Sequence, residues 1–343
     1  MFNVAFELSF SNNTFWVVRI RTWTHRDIKG EMLSEVATMK LVKERTSIPI
    51  PTVYAYGWEE SNEFGFPYML MNMLSGRHVE STFPSSVPEE FKPKVAGQLA
   101  QYIWELSQIT FDQIGRIFYD TELEEKPRIM SFPYFGKDMG PFNSSSSYFI
   151  RIRREVNDAI SDQYSDDNKW AAWSQVCQVL TGAIPLMLCP QFRRGPFPLY
   201  HRDLQYSNIL LDDNFDITGV LDWSGARTVP VEQFTVYHDF LVSTRIEAEN
   251  RLAVEFRDMF IRAYKQLEVP PRKGLSFSNV FGSPLPDFIR HWDTGMPRSA
   301  RRARHTALFV LQKLYGNDAT LEDYKVLRKR PRRIIWTAAR MKA

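Results

Sequence analysis

A cluster of polar residues near position 200 constrains this 343-residue chain more than any other feature. Asp203 and Asn208 lie five residues apart, and Asp222 follows fourteen residues later at the end of an apolar run. The apolar residues around them predict short strands joined by a loop. A phosphotransferase needs such groups: one carboxylate accepts the proton of the attacking hydroxyl, while an amide and a second carboxylate hold metal ions against nucleotide phosphates. The alternative is a surface loop whose polar residues only form turns.

Two sequence motifs carry a resemblance to a known family. His201-Arg202-Asp203-Leu204, with Asn208 after it, resembles the catalytic loop of the protein-kinase-like superfamily. The segment Gly219-Val220-Leu221-Asp222-Trp223 is more similar to the small-molecule branch of that superfamily, the aminoglycoside phosphotransferase family with its choline kinase relatives. A protein kinase would normally have Asp-Phe-Gly where this chain has Asp222-Trp223-Ser224. The resemblance covers most of residues 2–240 and implies a bilobal α+β fold of the protein-kinase type.

The resemblance implies roles for the three polar residues. Asp203 would orient the acceptor hydroxyl and take its proton, and Asn208 and Asp222 would hold Mg²⁺ against the phosphates of ATP. His201 would support the loop without transferring a proton. For Arg202, where the small-molecule branch prefers Gly, we expect a local ion pair with an acidic neighbour.

The resemblance also implies a nucleotide site in the first lobe. A strand cation that contacts the phosphates should pair with a glutamate on the first helix, and Glu35 is the candidate for that glutamate. The family has a lysine on the strand; here the candidate is Arg19, with Arg21 as the fallback, and arginine is a planar fork rather than a point charge. The adenine edge would lie against the backbone of the connecting segment, which comprises Met71, Asn72, Met73 and Leu74.

Hydrophobic periodicity divides the chain at about residue 75. Residues 1–75 predict a small mixed sheet with one helix: a hairpin over 2–10 and 14–20, a helix over 31–45, and strands over 53–58 and 66–73. Ser75-Gly76 is a plausible hinge. Residues 76–343 predict a larger, mainly helical lobe, with short strands over 199–223. The predicted helices of this lobe start near 94 and cover 151–164, 170–188, 233–241, 248–267 and 300–315, and a loop is predicted over 120–147.

Composition excludes several classes of protein. Two cysteines, Cys177 and Cys189, are too few for a disulfide framework, so a reducing compartment and a cytoplasmic location are expected. The longest apolar runs fall short of the ~20 residues that span a bilayer. The N-terminus shows no pattern of a secretory signal.

Charge is unevenly distributed along the chain. The net charge is +3, yet residues 298–342 contain 13 Lys/Arg and 3 Asp/Glu, so this basic tail carries +10 and the rest of the chain −7. We expect Arg301, Arg302 and Arg304 to occupy the polar face of a helix whose other face is apolar, rather than to bind nucleic acid. The acidic body is consistent with a cationic acceptor, and the resemblance implies a small-molecule acceptor of the amino sugar or amino alcohol type.

The beginning of the chain departs from the family pattern. Met1-Phe2-Asn3-Val4-Ala5-Phe6-Glu7-Leu8 resembles the segment just after the glycine-rich turn, whose backbone N–H groups would cover the phosphates. The expectation is a shortened N-terminus, weak ATP binding and poor turnover. Two alternatives remain: a non-catalytic kinase-like binding protein, and a metal-dependent hydrolase using His201, Asp203 and His238-Asp239, which lacks enough ligands in a suitable spacing.

Overall fold

The computed structural model describes residues 3–22, 27–79, 85–119, 126–164, 170–238, 247–269, 274–292 and 300–324. The first lobe contains four strands and one helix. These are β1 (Asn3–Ser9), β2 (Phe15–Arg21), α1 (Ile28–Arg45), β3 (Val53–Gly57) and β4 (Tyr68–Asn72).

The four strands form one sheet in the order β1-β2-β4-β3. All three pairings are antiparallel, so the predicted mixed sheet is wrong in this detail. The first hairpin forms as predicted, because Asn13 adopts the left-handed conformation (φ 61°) that asparagine tolerates in tight turns. Helix α1 packs its apolar face, including Met32, Met39 and Val42, into the core of this lobe.

The second lobe contains short strands among longer helices. The strands are β5 (Arg77–His78), β6 (Thr110–Phe111), β7 (Arg116–Phe118), β8 (Arg128–Met130), β9 (Phe132–Tyr134), β10 (Lys137–Met139), β11 (Phe197–Tyr200), β12 (Ile209–Leu211), β13 (Ile217–Val220) and β14 (Arg227–Thr228). The helices are α2 (Lys92–Gln108), α3 (Ser145–Tyr164), α4 (Trp170–Met187), α5 (Val231–Phe234), α6 (Glu247–Leu267), α7 (Phe277–Phe281), α8 (Leu285–Trp292) and α9 (Ala300–Tyr315).

Two buried clusters hold the molecule together. One joins α1 and the first sheet to α2, α6 and the strands around residue 210, so it runs through both lobes. The other lies among α3, α4, α8 and α9. Strand β5 pairs with β12 of the second lobe, which pairs on its other side with β13, so the chain has left the first sheet by residue 77. Among the described residues, none of the helices is long and apolar enough to cross a membrane.

Three sequence-based predictions for the second lobe need correction. The predicted loop over 120–147 contains β8, β9, β10 and the start of α3; strands of three residues are too short to show alternation. The predicted helix over 233–241 is a single turn, α5, because the chain is no longer helical at Thr235; residues 239–246 lie outside the described part. Helices α7 and α8 were not predicted, although Ser276 and Asn279 form a capping box that marks the start of α7.

The described part of the basic tail behaves as the periodicity predicts. On α9, Ala307 and Leu311 are fully buried, while Arg304 is exposed and lies 3.1 Å from Glu322. The side chains of Arg301 and Arg302, and residues 325–343, lie outside what the structure describes.

Candidate active site

Hydrogen bonds bring Asp203 and Asn208 together with the segment that leads to Asp222. Leu221 N donates to the Asn208 carbonyl at 2.8 Å, which places the loop after β11 beside the end of β13. Asn208 Nδ2 donates to the Asp203 carbonyl at 2.8 Å and lies 3.2 Å from its carboxylate Oδ2. Gln205 Nε2 donates to the same Oδ2 at 3.1 Å. The exposed Asp203 carboxylate is therefore held in one orientation by two amides.

Asp222 occupies a strained position directly after β13. Its φ of 57° is left-handed, a conformation that aspartate tolerates better than most residues. The next residue, Trp223, is buried and donates its indole N–H to the Val220 carbonyl at 3.1 Å, which fixes the turn. The Asp222 carboxylate remains 37% exposed and faces a cavity.

Arg19 and Glu35 form the ion pair predicted from the resemblance. Arg19 Nη2 lies 2.6 Å from Glu35 Oε1, and the two side chains are only 14% and 1% exposed. Burial alone would lower the pKa of the Arg19 guanidinium, but the charge and hydrogen bond of Glu35 outweigh burial, and the pKa is raised. Arg19 Nη1 also lies 3.7 Å from Asp222 Oδ1. One guanidinium thus links the first sheet, α1 and the metal-ligand candidate.

Arg21, the fallback cation, lies in a neighbouring but different environment. Its Nη1 contacts Glu31 Oε2 at 2.8 Å, and its Nη2 lies 3.6 Å from Glu35 Oε2. Arg19 lines the cavity at Asp222, whereas Arg21 braces Glu35 from the side. The geometry therefore favours Arg19 for the nucleotide contact.

A cavity of about 400 Å³ between the lobes brings the predicted nucleotide residues together. It is lined by Arg19, Glu35, Met71, Asn72, Met73, Leu74, Asn208 and Asp222. Further lining residues that the sequence did not single out include Val17, Pro51, Gly76 and Ser207. They have no common motif, because they come from four separate segments.

The connecting segment offers one backbone donor to a ligand. Asn72 N donates to the Thr52 carbonyl at 3.2 Å, and Met73 N donates to the Phe15 carbonyl at 3.1 Å. Within the described part of the chain, the N–H of Leu74 makes no hydrogen bond. This N–H is therefore the group of the segment best placed to meet the edge of an adenine ring.

A second cavity, of about 380 Å³, has Asp203 in its wall. Its described lining includes Asp203 and Gln205 of the loop, four tyrosines, and residues from β14, α5 and α8. The hydrogen bond between Asn208 and Asp203 joins the walls of the two cavities. No sequence signal pointed to this cavity, since its lining is drawn from distant segments.

The buried side chain of His201 supports the loop that contains Asp203. It is 1% exposed, and its Nε2 donates to the Leu221 carbonyl at 3.0 Å while the ring lies 4.5 Å from the Trp223 ring. Burial lowers the pKa of His201 to about 4. The imidazole is therefore neutral near pH 7 and already committed to a backbone hydrogen bond, which suits the predicted supporting role.

The hydrolase alternative finds no support in this geometry. Among the residues that the structure describes, no cluster of three His, Cys, Asp or Glu side chains could hold a metal ion. His238 is buried and stacked on Tyr200, and burial lowers its pKa to about 3. Asp239 lies outside the described residues.

The buried His201 predicts a pH-dependent stability. Its folded pKa of about 4 lies below the unfolded value of 6.5, so the unfolded state binds more protons between these values and stability falls as the pH is lowered. We expect His201 to account for a loss of about 2 kcal/mol between pH 7 and pH 5. Urea unfolding of the parent and of His201→Asn, which keeps a donor for the Leu221 carbonyl, measures the difference. Identical pH dependence in the two proteins would contradict this assignment.

Comparison with known sequences identifies the family. A profile described as the phosphotransferase enzyme family, APH, matches residues 4–274. The chain belongs to this family. The match includes every lining residue of the first cavity except Asn3 and every lining residue of the second except Arg290, so the resemblance inferred from the two motifs is confirmed.

Solved structures of phosphotransferases share the fold. The aminoglycoside phosphotransferase APH(4)-Ia aligns with a TM-score of 0.53 at 16% identity, covering 90% of both chains. A protein from Thermobifida fusca named as a candidate fructosamine-3-kinase aligns with a TM-score of 0.56 at 15% identity, covering 91% of both chains. The predicted bilobal, protein-kinase-like α+β fold is thereby confirmed.

Similar fungal proteins match only part of the family region. Altered inheritance of mitochondria protein 9 of Candida albicans is 25% identical over 152 residues, which is 40% of this chain and 24% of that protein. A subtelomeric hrmA-associated cluster protein of Aspergillus fumigatus is 28% identical over 128 residues, covering 37% of this chain and 25% of that protein. The aligned part of this chain thus spans about a quarter of the length of these relatives.

Proposed function

We propose that this chain transfers the γ-phosphoryl group of ATP to a hydroxyl group of a small molecule. The observation that carries the proposal is the pair of cavities that meet at Asp203 and Asn208. One cavity presents the cation and the two metal-ligand candidates; the other presents the base. This arrangement supports binding of a nucleotide in the first cavity and of an acceptor beside the Asp203 carboxylate in the second.

The metal-binding residues fit Mg²⁺. Asn208 donates through Nδ2 to Asp203, so its Oδ1 points away and, among the described residues, accepts no hydrogen bond. The Asp222 carboxylate is accessible in the same cavity. Magnesium prefers one or two protein oxygens together with phosphate oxygens and water, rather than a complete protein cage. Bound there, the ion would supply charge neutralisation to the phosphates.

The chain's own residues would perform the transfer as follows. Arg19, held by Glu35, binds and orients the phosphates. Asp203 orients the acceptor hydroxyl and takes its proton as the hydroxyl oxygen bonds to the γ-phosphorus. The bond between that phosphorus and the β–γ bridging oxygen breaks, and ADP leaves with that oxygen. Catalysis rests mainly on positioning and charge stabilisation.

The acceptor is a separate question from the reaction. Two solved structures of APH(4)-Ia variants with TM-scores of 0.50 are complexes with hygromycin B and either ADP or AMP-PNP. They support a nucleotide and, in this chain, the amino sugar or amino alcohol type of acceptor expected from the sequence. The charged side chains that line the second cavity bear on a further feature of the acceptor.

The alternative is a kinase-like protein that binds a ligand without turnover. Arg19 in place of the family's strand lysine is the observation that favours it. The two alternatives share nucleotide binding and differ in ADP production. No nucleic-acid partner is proposed for the basic tail.

Calorimetric titration with ATP, with and without Mg²⁺, tests the proposed function. We expect ATP to bind more tightly with Mg²⁺, because Asn208 and Asp222 would hold the ion and the ion would neutralise part of the charge of the phosphates. Production of ADP then separates the enzyme from the binding protein. Equal ATP binding with and without Mg²⁺ would refute the metal assignment, and tight binding without any turnover would support the non-catalytic alternative.

For the cellular location we propose a reducing compartment. Cys177 and Cys189 are buried free thiols, which fits such a compartment. The cytoplasm is the location expected from the sequence, and the mitochondrion is the alternative raised by the name of the Candida relatives. Microscopy of the tagged full-length protein in its own cell distinguishes them.

A further inference from the structure

The charged groups that line the second cavity are mostly cationic. Arg202, Arg227 and Arg290 lie in its wall, and Asp203 is the one carboxylate among the described lining residues. Arg202 and Arg290 make further contacts of their own. Arg227 differs from them, and the argument rests on it.

Arg227 is a buried cation without an anionic partner among the described residues. It lies on β14 and is 8% exposed, and its guanidinium stacks 4.1 Å from the centre of the Phe132 ring. Its Nε is buried and, within the described part of the chain, has no hydrogen-bond acceptor. Buried arginine donors are nearly always satisfied, so an unsatisfied one in a cavity wall calls for a partner.

A second unsatisfied group faces the same cavity. Gln233 of α5 is 9% exposed, and its Oε1 is buried without a hydrogen-bond donor. A guanidinium that lacks an acceptor and an amide oxygen that lacks a donor are complementary to a ligand that carries an acceptor for the first and a donor for the second. An oxyanion satisfies the first, and a hydroxyl or amino hydrogen satisfies the second.

We propose that the acceptor carries an oxyanion, a carboxylate or a phosphate, in addition to the hydroxyl that is phosphorylated. Arg227 binds this oxyanion, and Arg202 and Arg290 add to the positive potential around it. The inference rests on the proposed function and specifies its substrate class. A purely cationic amino alcohol would meet the guanidinium of Arg227 without an anion to offset it and is disfavoured, whereas an amino acid with a hydroxyl group would still fit.

Arg227 is a specificity residue in this proposal and takes no part in proton transfer. The hydroxyl proton goes to Asp203, and the γ-phosphoryl group moves to the hydroxyl oxygen as ADP leaves. Arg227 sets which acceptors place their hydroxyl at Asp203. Its effect therefore depends on the charge of the acceptor.

Four three-carbon probes that differ in one end group test the proposal. They are 3-hydroxypropanoate, 3-hydroxypropyl phosphate, 3-hydroxypropanamide and 3-aminopropan-1-ol. Each is titrated calorimetrically into the full chain saturated with Mg²⁺ and AMP-PNP. We expect at least one of the two oxyanions to bind tenfold or more tightly than the amide and the amine. The tighter of the two oxyanions identifies carboxylate or phosphate as the preferred group.

Variants of Arg227 test whether this side chain causes the preference for oxyanions. Arg227→Gln should abolish the preference for oxyanions, and Arg227→Lys, which keeps the charge but loses the planar fork, should restore part of it. Arg194→Gln removes an exposed guanidinium outside the cavity and should keep the full preference. Melting curves establish that each variant folds. If Arg227→Gln does not fold, the probe series on the parent and on Arg227→Lys still decides.

Several outcomes would overturn the proposal. These are equal or tighter binding of the amide or the amine, no detectable binding of any probe, or an unchanged preference in folded Arg227→Gln. Failure of AMP-PNP itself to bind is a different result and counts against the proposed function. Binding of AMP-PNP without any preference for oxyanions overturns only the inference about the acceptor.

Discussion

Replacing Asp203 with Asn is expected to lower turnover by on the order of 10²-fold or more, with ATP affinity little changed. The substitution keeps the size of the side chain and removes the proton acceptor. Asp203 lines the second cavity, which we propose for the acceptor, and not the first, which we propose for the nucleotide, so its loss should affect the chemical step rather than ATP binding. The measurement is the rate of ADP production, as slow hydrolysis of ATP if no acceptor is at hand, beside a calorimetric titration of ATP.

The chain offers a matched control for this substitution. Asp213 lies in the turn between β12 and β13, its side chain is 98% exposed, and it lines neither cavity. Asp213→Asn removes the same charge and should leave both quantities unchanged. An Asp203→Asn protein that turns over as fast as the parent would remove Asp203 from the mechanism.

Replacing Asp222 is expected to remove the dependence of ATP binding on Mg²⁺. Asp222→Asn is the cleaner variant, because Asn also tolerates the left-handed conformation at this position, where Ala would add strain. We expect turnover to fall by on the order of 10³-fold, since charge neutralisation by a bound metal is worth several kcal/mol.

Titrations of ATP into parent and variant, with and without Mg²⁺, measure this effect. The parent should show a difference between the two conditions, and Asp222→Asn should show little or none. Asp222→Ala should give the same binding result with a further loss of stability, measured by urea unfolding. If ATP binding to Asp222→Asn responds to Mg²⁺ as in the parent, the assignment of Asp222 as a metal ligand is wrong.

Local sequence determined the elements that carry these residues. The hairpin of β1 and β2, helix α1, and the strands before and after the loop follow from hydrophobic alternation and periodicity, because each element buries one face of its own segment. The spacing of Asp203, Asn208 and Asp222 is likewise local, since one short loop and one pair of strands connect them. The resemblance of the motifs that contain these residues to a known family then allowed the family and its fold to be predicted.

Tertiary structure decided which distant residues act together. The choice between Arg19 and Arg21 depends on where α1 places Glu35 and where the second lobe places Asp222, and strand alternation alone does not give either distance. The strands within residues 126–139 are three residues long and are stabilised by pairing with each other and with β7, so their own sequence shows no clear period.

The second cavity, which we propose for the acceptor, is the clearest case of a feature that local sequence could not predict. The acidic balance of the chain outside the basic tail was consistent with a cationic acceptor, yet such a balance sums over a whole surface and says nothing about one pocket. Arg227 reaches the cavity through its pairing with Tyr200 on β11, and Gln233 through the single turn of α5. The sequence by itself determined the loop that contains Asp203 and Asn208, and the family. Only the packing of separate segments decided which charges face the acceptor, because side chains far apart in the chain meet there only after folding.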